Sequence, residues 1–86
     1  MYEIKYRSSV EKDLRKLPKN VLPRVVNRIQ KLSNEPIPSG ASKLKGTNNI
    51  YRLRQGDYRI VYSLEKNELL ILIVKVAHRK DVYQNL

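Results

Sequence analysis

The stretch IYRLRQGDYRIVY, residues 50–62, decides the fold because it has the pattern of a β-hairpin. Two runs rich in β-branched and aromatic residues flank the pair Gly56-Asp57, and turn residues between such runs are a strong hairpin signal. A two-residue loop also fixes the strand register, because it leaves only one way to align the flanking residues. The cross-strand pairs that we expect are Gln55–Tyr58, Arg54–Arg59, Leu53–Ile60 and Tyr51–Tyr62.

This register predicts one apolar and one basic face, because side chains alternate between the two faces of a strand. The basic face carries Arg52, Arg54 and Arg59, while Asp57, the only carboxylate of the stretch, lies in the turn. Like charges directly opposite each other destabilise a sheet, so this arrangement indicates an anion-binding face. Phosphate suits it, since the planar guanidinium donates two hydrogen bonds at once. The alternative is that the arginines simply face solvent.

The length of the chain indicates its number of domains, and its net charge indicates the kind of partner that it binds. A chain of 86 residues with 41% hydrophobic residues supports one modest core, so we expect a single domain spanning residues 1–86. Eighteen Lys and Arg residues against 8 Asp and Glu give a net charge of +10. Such an excess favours a polyanionic partner: nucleic acid, an acidic protein or a membrane surface.

Other features of the composition indicate where the protein works. Cysteine is absent, which excludes disulfides and cysteine-based metal sites or nucleophiles and agrees with a reducing compartment. The N-terminal residues lack the apolar segment of a signal peptide. The longest apolar run, residues 69–74, is too short to cross a bilayer. We therefore expect a soluble, cytoplasmic protein.

Two amphipathic helices are predicted before the hairpin. An alternating strand at residues 2–7 precedes the first helix, and Ser8 with Glu11 has the spacing of a capping box at its start. Pro18 ends that helix, and Pro23 falls in the first turn of the second. The apolar residues at helical spacing, expected to face the sheet, include Leu14, Leu17, Val25, Ile29 and Leu32.

A further strand, residues 69–77, is predicted after the hairpin. The order is then β-α-α-β-β-β with a short C-terminal helical turn. This is an α+β fold in which the helical hairpin packs on one face of a small antiparallel sheet and leaves the other face open and basic. Lys75 and Arg79 share one parity of the last strand, while Lys43 and Lys45 lead into the hairpin and are expected beside its basic face.

Three segments carry a resemblance to a known family: KLKG at 43–46, YRLRQGDYRIVY at 51–62 and HRKDVY at 78–83. With the order of elements and the length, they make nearly the whole chain resemble the RelE/ParE superfamily of toxins from prokaryotic type II toxin–antitoxin modules. RelE-like members cut mRNA in the ribosomal A site. ParE-like members share the fold but act on DNA gyrase without being nucleases, and an acidic antitoxin that wraps the toxin silences both kinds.

The RelE-type activity implied by this resemblance uses no metal and no cofactor. The 2′-hydroxyl of the mRNA attacks the adjacent phosphate and leaves a cyclic phosphate and a 5′-hydroxyl. Arg59 matches the arginine that would hold the scissile phosphate, and Arg79 matches the one that would stabilise the transition state. Tyr83 matches the tyrosine that would stack on a base or orient the 2′-hydroxyl. Arg52, Arg54, Lys43, Lys45 and Lys75 are the expected RNA-binding residues.

The chain departs from RelE at the general base. RelE itself has lysines at the positions of Arg52 and Arg54, and an arginine cannot lose its proton as a lysine can. His78, the only histidine, is one candidate base, and Tyr83 is another. We expect a ribosome-dependent mRNA endoribonuclease. The alternatives are a ParE-like gyrase poison and a small RNA-binding module without toxicity.

Overall fold

The structure, a computed structural model, describes residues 1–82, and within that range it contains five strands and two helices. Their order along the chain is β1 (Glu3–Tyr6), α1 (Ser8–Arg15), α2 (Leu22–Lys31), β2 (Ala41–Lys43), β3 (Ile50–Gln55), β4 (Tyr58–Glu65) and β5 (Leu70–His78). The predicted α+β order is confirmed, with β2 as an additional short strand. Residues 79–82 form turns. The rest of the predicted C-terminal helical turn, including Tyr83, lies outside the described residues.

The β3–β4 hairpin has the register that the sequence predicts. Arg54 lies opposite Arg59, and Leu53 lies opposite Ile60. Gly56 has a φ of +59°, whereas Asp57 has a negative φ. A positive φ at only the first central residue is the pattern of a type II′ turn, whose twist matches that of the flanking strands and which favours glycine at that position.

The strands form one sheet in the order β1-β5-β4-β3-β2. The strands β3, β4 and β5 pair antiparallel, as predicted, and the additional strand β2 pairs antiparallel with β3. However, β1 runs parallel to β5, so the sheet is mixed. A parallel pair needs a long crossover connection, and the helical hairpin begins such a connection directly after β1. The alternation of residues 2–7 predicted a strand, but alternation carries no information on strand direction.

The helices cover one face of the sheet, which we call the helix face. Val25, Ile29 and Leu32 of the second helical segment are completely buried, as are Leu53 and Ile60 of the hairpin. Burying one such side chain contributes roughly 1.5–3 kcal/mol, so this layer provides most of the stability of the fold. Leu14 and Leu17 pack against the same core and are half-buried, which confirms the predicted apolar faces of both helices. Neither helix of residues 1–82 has the length and hydropathy that are needed to span a bilayer.

A β-bulge between β4 and β5 keeps two sets of residues in the core. Val61 pairs with Lys75, but Tyr62 pairs with Ile73, so Val74 is an extra residue on β5. Beyond a bulge, the odd-numbered and even-numbered positions exchange faces of the sheet. Ile73 before the bulge and Val76 after it therefore both face the core, although one number is odd and the other even. The odd positions from Lys75 onward face away from the helices.

The predicted capping box at the start of α1 does not form. The N-cap residue is Arg7, without a side-chain cap hydrogen bond, and Ser8 is already helical. The Arg7 N–H donates to the carbonyl of Ile73 at 2.9 Å, which extends the β1–β5 ladder to the N-cap residue. Glu11 instead pairs with Arg15 at 2.6 Å. The pairing of β1 therefore moves the helix start one residue earlier than the capping pattern predicts.

Two hydrogen bonds, which we call the polar latch, connect the loop after α2 to Tyr62 in the core and to Arg28 of α2. The Tyr62 hydroxyl donates to the carbonyl of Pro36 at 2.6 Å, and Arg28 Nη2 donates to the carbonyl of Ser39 at 2.7 Å. Burial raises the pKa of Tyr62, neighbouring Tyr51 raises it further, and the charge of Arg28 acts in the opposite direction. The phenol therefore stays neutral and remains a hydrogen-bond donor at physiological pH.

Candidate functional site

The sheet surface opposite the helices carries most of the basic residues singled out in the hairpin. We call it the arginine face, and its cationic members are Arg52, Arg54, Arg59 and Lys75. The register sets Arg52, Val61 and Lys75 in one row across β3, β4 and β5. The next row holds Arg54, Arg59 and Ala77. Two adjacent rows of the sheet thus bring four cations onto one surface, as the sequence predicted for the arginines. The expectation that this surface is open is wrong in the first of these rows, because Val61 is completely buried there. Arg54 is exposed, whereas Arg52, Arg59 and Lys75 are half-buried.

The turn at Gly56-Asp57 binds Arg59 from this face. Arg59 Nη1 donates to the carbonyls of Gly56 and Tyr58, each at 2.9 Å. These bonds fold the side chain back over the end of the hairpin and fix its direction. Since they use only one guanidinium nitrogen, the other N–H groups are the ones that a bound anion can accept from.

The same turn binds Arg79, which follows directly after the end of β5. The Arg79 N–H donates to the carbonyl of Asp57 at 2.7 Å, and Arg79 Nε lies 3.9 Å from Asp57 Oδ1. Both arginines that the sequence comparison with the toxin superfamily singled out are therefore held by one two-residue turn. Sequence reasoning did not find this role of Asp57, although its being the only carboxylate of the hairpin was the available signal.

The chemistry of the arginine face follows from its composition. Arginines remain protonated at every physiological pH, and closely spaced guanidinium groups bind phosphate and stabilise the extra charge of a phosphoryl transition state. They do not accept a proton from a nucleophile. Within residues 1–82, no group of three or more His, Cys, Asp or Glu side chains is arranged to hold a metal ion.

His78 is not part of the arginine face. It lies opposite Tyr58 in the β4–β5 register, and the two rings meet edge to face with centroids 5.4 Å apart. Alternation places this pair on the helix face, and His78 Nδ1 accepts a hydrogen bond from the Lys80 N–H at 3.2 Å. The thickness of the sheet therefore separates His78 from Arg59.

The two lysines before the hairpin also differ from the expectation. Lys43 lies opposite Tyr51, and its Nζ is 5.9 Å from the centroid of the Tyr51 ring, a cation–π contact on the helix side of the sheet. The expected position of Lys43 beside the arginine face is thus wrong. The reason is that β2 pairs with β3, and this pairing was not visible in the sequence. Lys45 is exposed in the turn after β2, and Tyr83 lies outside the described residues.

Known relatives match this chain in sequence over almost its whole length. Toxin RelG of Mycobacterium tuberculosis is 30% identical over 84 residues, which cover 96% of this chain and 97% of that protein. Toxin RelE3 of Methanocaldococcus jannaschii is 31% identical over 85 residues and 94% of each chain.

Solved structures show the same fold. The toxin chain in the archaeal RelE–RelB complex of Pyrococcus horikoshii superposes with a TM-score of 0.81 at 36% identity, covering 91% of this chain and 94% of that one. A chain of the RelBE2 toxin–antitoxin complex of Mycobacterium tuberculosis gives 0.80 at 29% identity, covering 91% and 98%. The profile of the family described as the ParE toxin of type II toxin–antitoxin systems matches residues 4–83. The chain therefore belongs to the ParE toxin family and is a RelE-like toxin of a type II toxin–antitoxin system.

Proposed function

We propose that this toxin inhibits translation as a metal-independent endoribonuclease that cleaves mRNA in the ribosomal A site, acting as one domain over residues 1–86. The observation that carries the proposal is the Gly56-Asp57 turn, which binds both Arg59 and Arg79 at the end of the arginine face. RNA offers a phosphate to such a face. The three paired strands β3, β4 and β5 also fix the spacing of the cations before any substrate arrives.

The proposed reaction is an internal phosphoryl transfer. The 2′-oxygen of the mRNA attacks the adjacent phosphorus, the bond from phosphorus to the 5′-oxygen breaks, and the products are a 2′,3′-cyclic phosphate and a 5′-hydroxyl. Arg59 holds the scissile phosphate, and Arg79 stabilises the charge that develops on the phosphoryl and leaving oxygens. Arg52, Arg54 and Lys75 bind flanking phosphates along the arginine face, and the exposed Lys45 is an outlying RNA contact.

The 2′-hydroxyl must also lose a proton, which the leaving 5′-oxygen gains. His78, a candidate base, lies across the sheet from Arg59, so direct proton transfer would need it to leave its contact with Tyr58. Tyr83 is then the family-matched candidate for this proton or for stacking on a base. Charge stabilisation by the arginines would supply the larger share of the rate enhancement.

The partner that we propose is an acidic antitoxin. The solved structures of the similar archaeal and mycobacterial proteins are RelE–RelB and RelBE2 toxin–antitoxin complexes. A net charge of +10 favours an inhibitor of opposite charge, whose association is fast and sensitive to salt. We place this toxin in the cytoplasm, where both the ribosome and the antitoxin would meet it. An association rate that is the same at low and high salt would contradict the electrostatic argument.

A ParE-like poison of DNA gyrase is the second candidate. Two observations favour it: the matching family profile is that of the ParE toxin, and Arg52 and Arg54 stand where RelE itself has lysines. On this reading the arginine face would bind protein or DNA, without cleavage of RNA.

Single-turnover cleavage on programmed ribosomes tests the first candidate. Arg59→Ala removes a charged partner of the transition state, and we expect cleavage to slow ~10²-fold, equivalent to about 3 kcal/mol. Arg79→Ala should fall in the same range. Lys19→Ala is the matched control, because it removes one exposed cation from the connection between the helices.

The outcomes separate the two candidates. Wild-type cleavage rates in both arginine variants would contradict the nuclease proposal. Intact ribosome-bound mRNA, together with inhibition of gyrase supercoiling by the wild-type toxin, would establish the second candidate instead.

A further inference from the structure

Asp57 is an acidic residue within a site that is otherwise cationic. We propose that Asp57 is a positioning residue that sets the direction of the Arg79 guanidinium for phosphate binding. The inference rests on the proposed function for its catalytic consequence, but the orientation itself does not depend on that function.

Two contacts from one residue carry the inference. Asp57 accepts the Arg79 N–H through its main-chain carbonyl at 2.7 Å, which fixes the Arg79 backbone just beyond the end of β5. Its carboxylate then lies 3.9 Å from Arg79 Nε. A charge at Nε constrains the inner edge of the guanidinium and leaves both Nη groups for a bidentate contact with a phosphate. Asp57 therefore contacts Arg79 both at its main-chain N–H and at its side-chain Nε.

The exposure of the pair explains why its role is orientation and not stability. The Arg79 and Asp57 side chains are 58% and 69% exposed, and ion pairs this exposed contribute little to folding. A catalytic arginine is more sensitive, because misplacing a reacting group by about 1 Å costs up to ~10²-fold in rate. Removing the carboxylate should therefore leave the fold intact and change the chemistry.

A competing electrostatic effect predicts the opposite sign. The Asp57 carboxylate also repels the phosphate that Arg79 attracts, so its removal would accelerate cleavage if repulsion outweighed orientation. Asp57→Asn distinguishes the two effects. Asparagine suits a turn as well as aspartate does and keeps the carbonyl that accepts the Arg79 N–H.

The first measurement needs no substrate. Relaxation of the Arg79 ¹⁵Nε–¹H group by nuclear magnetic resonance reports the order of the guanidinium in the free toxin. We expect lower order in Asp57→Asn than in wild type, and recovery in Asp57→Glu, which restores the charge. Unchanged order in Asp57→Asn would overturn the inference, even in a toxin that proves to be a gyrase poison.

The second measurement is a double-mutant cycle in single-turnover cleavage. We expect Asp57→Asn to slow cleavage roughly tenfold in the wild-type background and to have no further effect in Arg79→Ala, since the two residues then act as one unit. Glu68→Gln is the control for the added net charge, because it removes an exposed carboxylate at the other end of the sheet.

Equal slowing by Asp57→Asn with and without Arg79, or faster cleavage, would overturn the catalytic part of the inference. Absence of cleavage by the wild-type toxin would instead contradict the proposed function, and the relaxation measurement would then decide the orientation alone.

Discussion

Leu53 and Arg54 are neighbours on β3, yet their side chains lie in two regions of the molecule with opposite polarity. Leu53 points to the helix face, where it is completely buried, while Arg54 points to the arginine face and is exposed. Across the hairpin, Leu53 meets the apolar Ile60, and Arg54 meets the like-charged Arg59. The first pairing stabilises the fold, and the second opposes it.

This difference shows how the hairpin separates stability from binding. Each strand contributes alternate residues to both faces, so the buried residues of the helix face also hold the cations of the arginine face at a fixed spacing. The resulting repulsion on the arginine face is small compared with the hydrophobic contribution behind it. A phosphate bound between the arginines, as proposed, would offset that repulsion.

The largest expected effect is on the helix face. Leu53→Ala leaves a cavity in a tightly packed core, and we expect a loss of about 2–5 kcal/mol in the free energy of unfolding, measured by urea denaturation. Arg54→Ala is the matched neighbour and should stay within about 0.5 kcal/mol of wild type. A loss in Arg54→Ala as large as that in Leu53→Ala would contradict the division between the faces.

The next largest loss of stability is expected from breaking the hydrogen bond between the Tyr62 hydroxyl and the Pro36 carbonyl. Tyr62→Phe keeps the stacked ring, whose centroid lies 5.7 Å from that of Tyr51, but removes the hydrogen bond to the Pro36 carbonyl. We expect a loss of about 1–3 kcal/mol in urea denaturation, because the carbonyl loses its partner. Tyr51→Phe, which removes a hydroxyl from the neighbouring ring, serves as control, and similar losses in the two variants would mean that the effect is not specific to the Tyr62–Pro36 hydrogen bond.

Alkaline pH should weaken the same latch. Burial raises the pKa of Tyr62, whereas tyrosines of the unfolded chain ionise near about pH 10. The stabilisation is thus complete below pH ~10 and is lost as pH rises from there towards the folded-state pKa, by up to about 1.4 kcal/mol per pH unit. The free energies of unfolding of wild type and Tyr62→Phe should therefore converge as pH rises above ~10. A difference between them that stays constant with pH would contradict this prediction.

The smallest effect is expected from a single phosphate contact on the arginine face. Arg52→Ala should weaken binding to single-stranded RNA and lower the slope of log K against log salt by about 0.7, with little effect on stability. Lys19→Ala, which removes a charge from the helical layer, should keep the wild-type slope. Equal slopes in wild type and Arg52→Ala would mean that RNA does not contact this row.

The sequence alone determined the parts of the fold that depend on local rules. A turn of two residues between apolar runs can align the strands in only one way, so the Arg54–Arg59 pair and the two faces of the hairpin followed directly. The buried faces of both helices also followed from a local rule, because helical periodicity sets which side of a helix is apolar.

Only the tertiary structure decided the relations between segments distant in the chain. The parallel direction of β1 and the cation–π position of Lys43 depend on which strands pair, and local patterns do not encode pairing partners. The bulge at Val74 likewise decides the face of Lys75. Arg79 meets Asp57 only because β5 lies beside β4, so long-range pairing turned two separate sequence motifs into one candidate site.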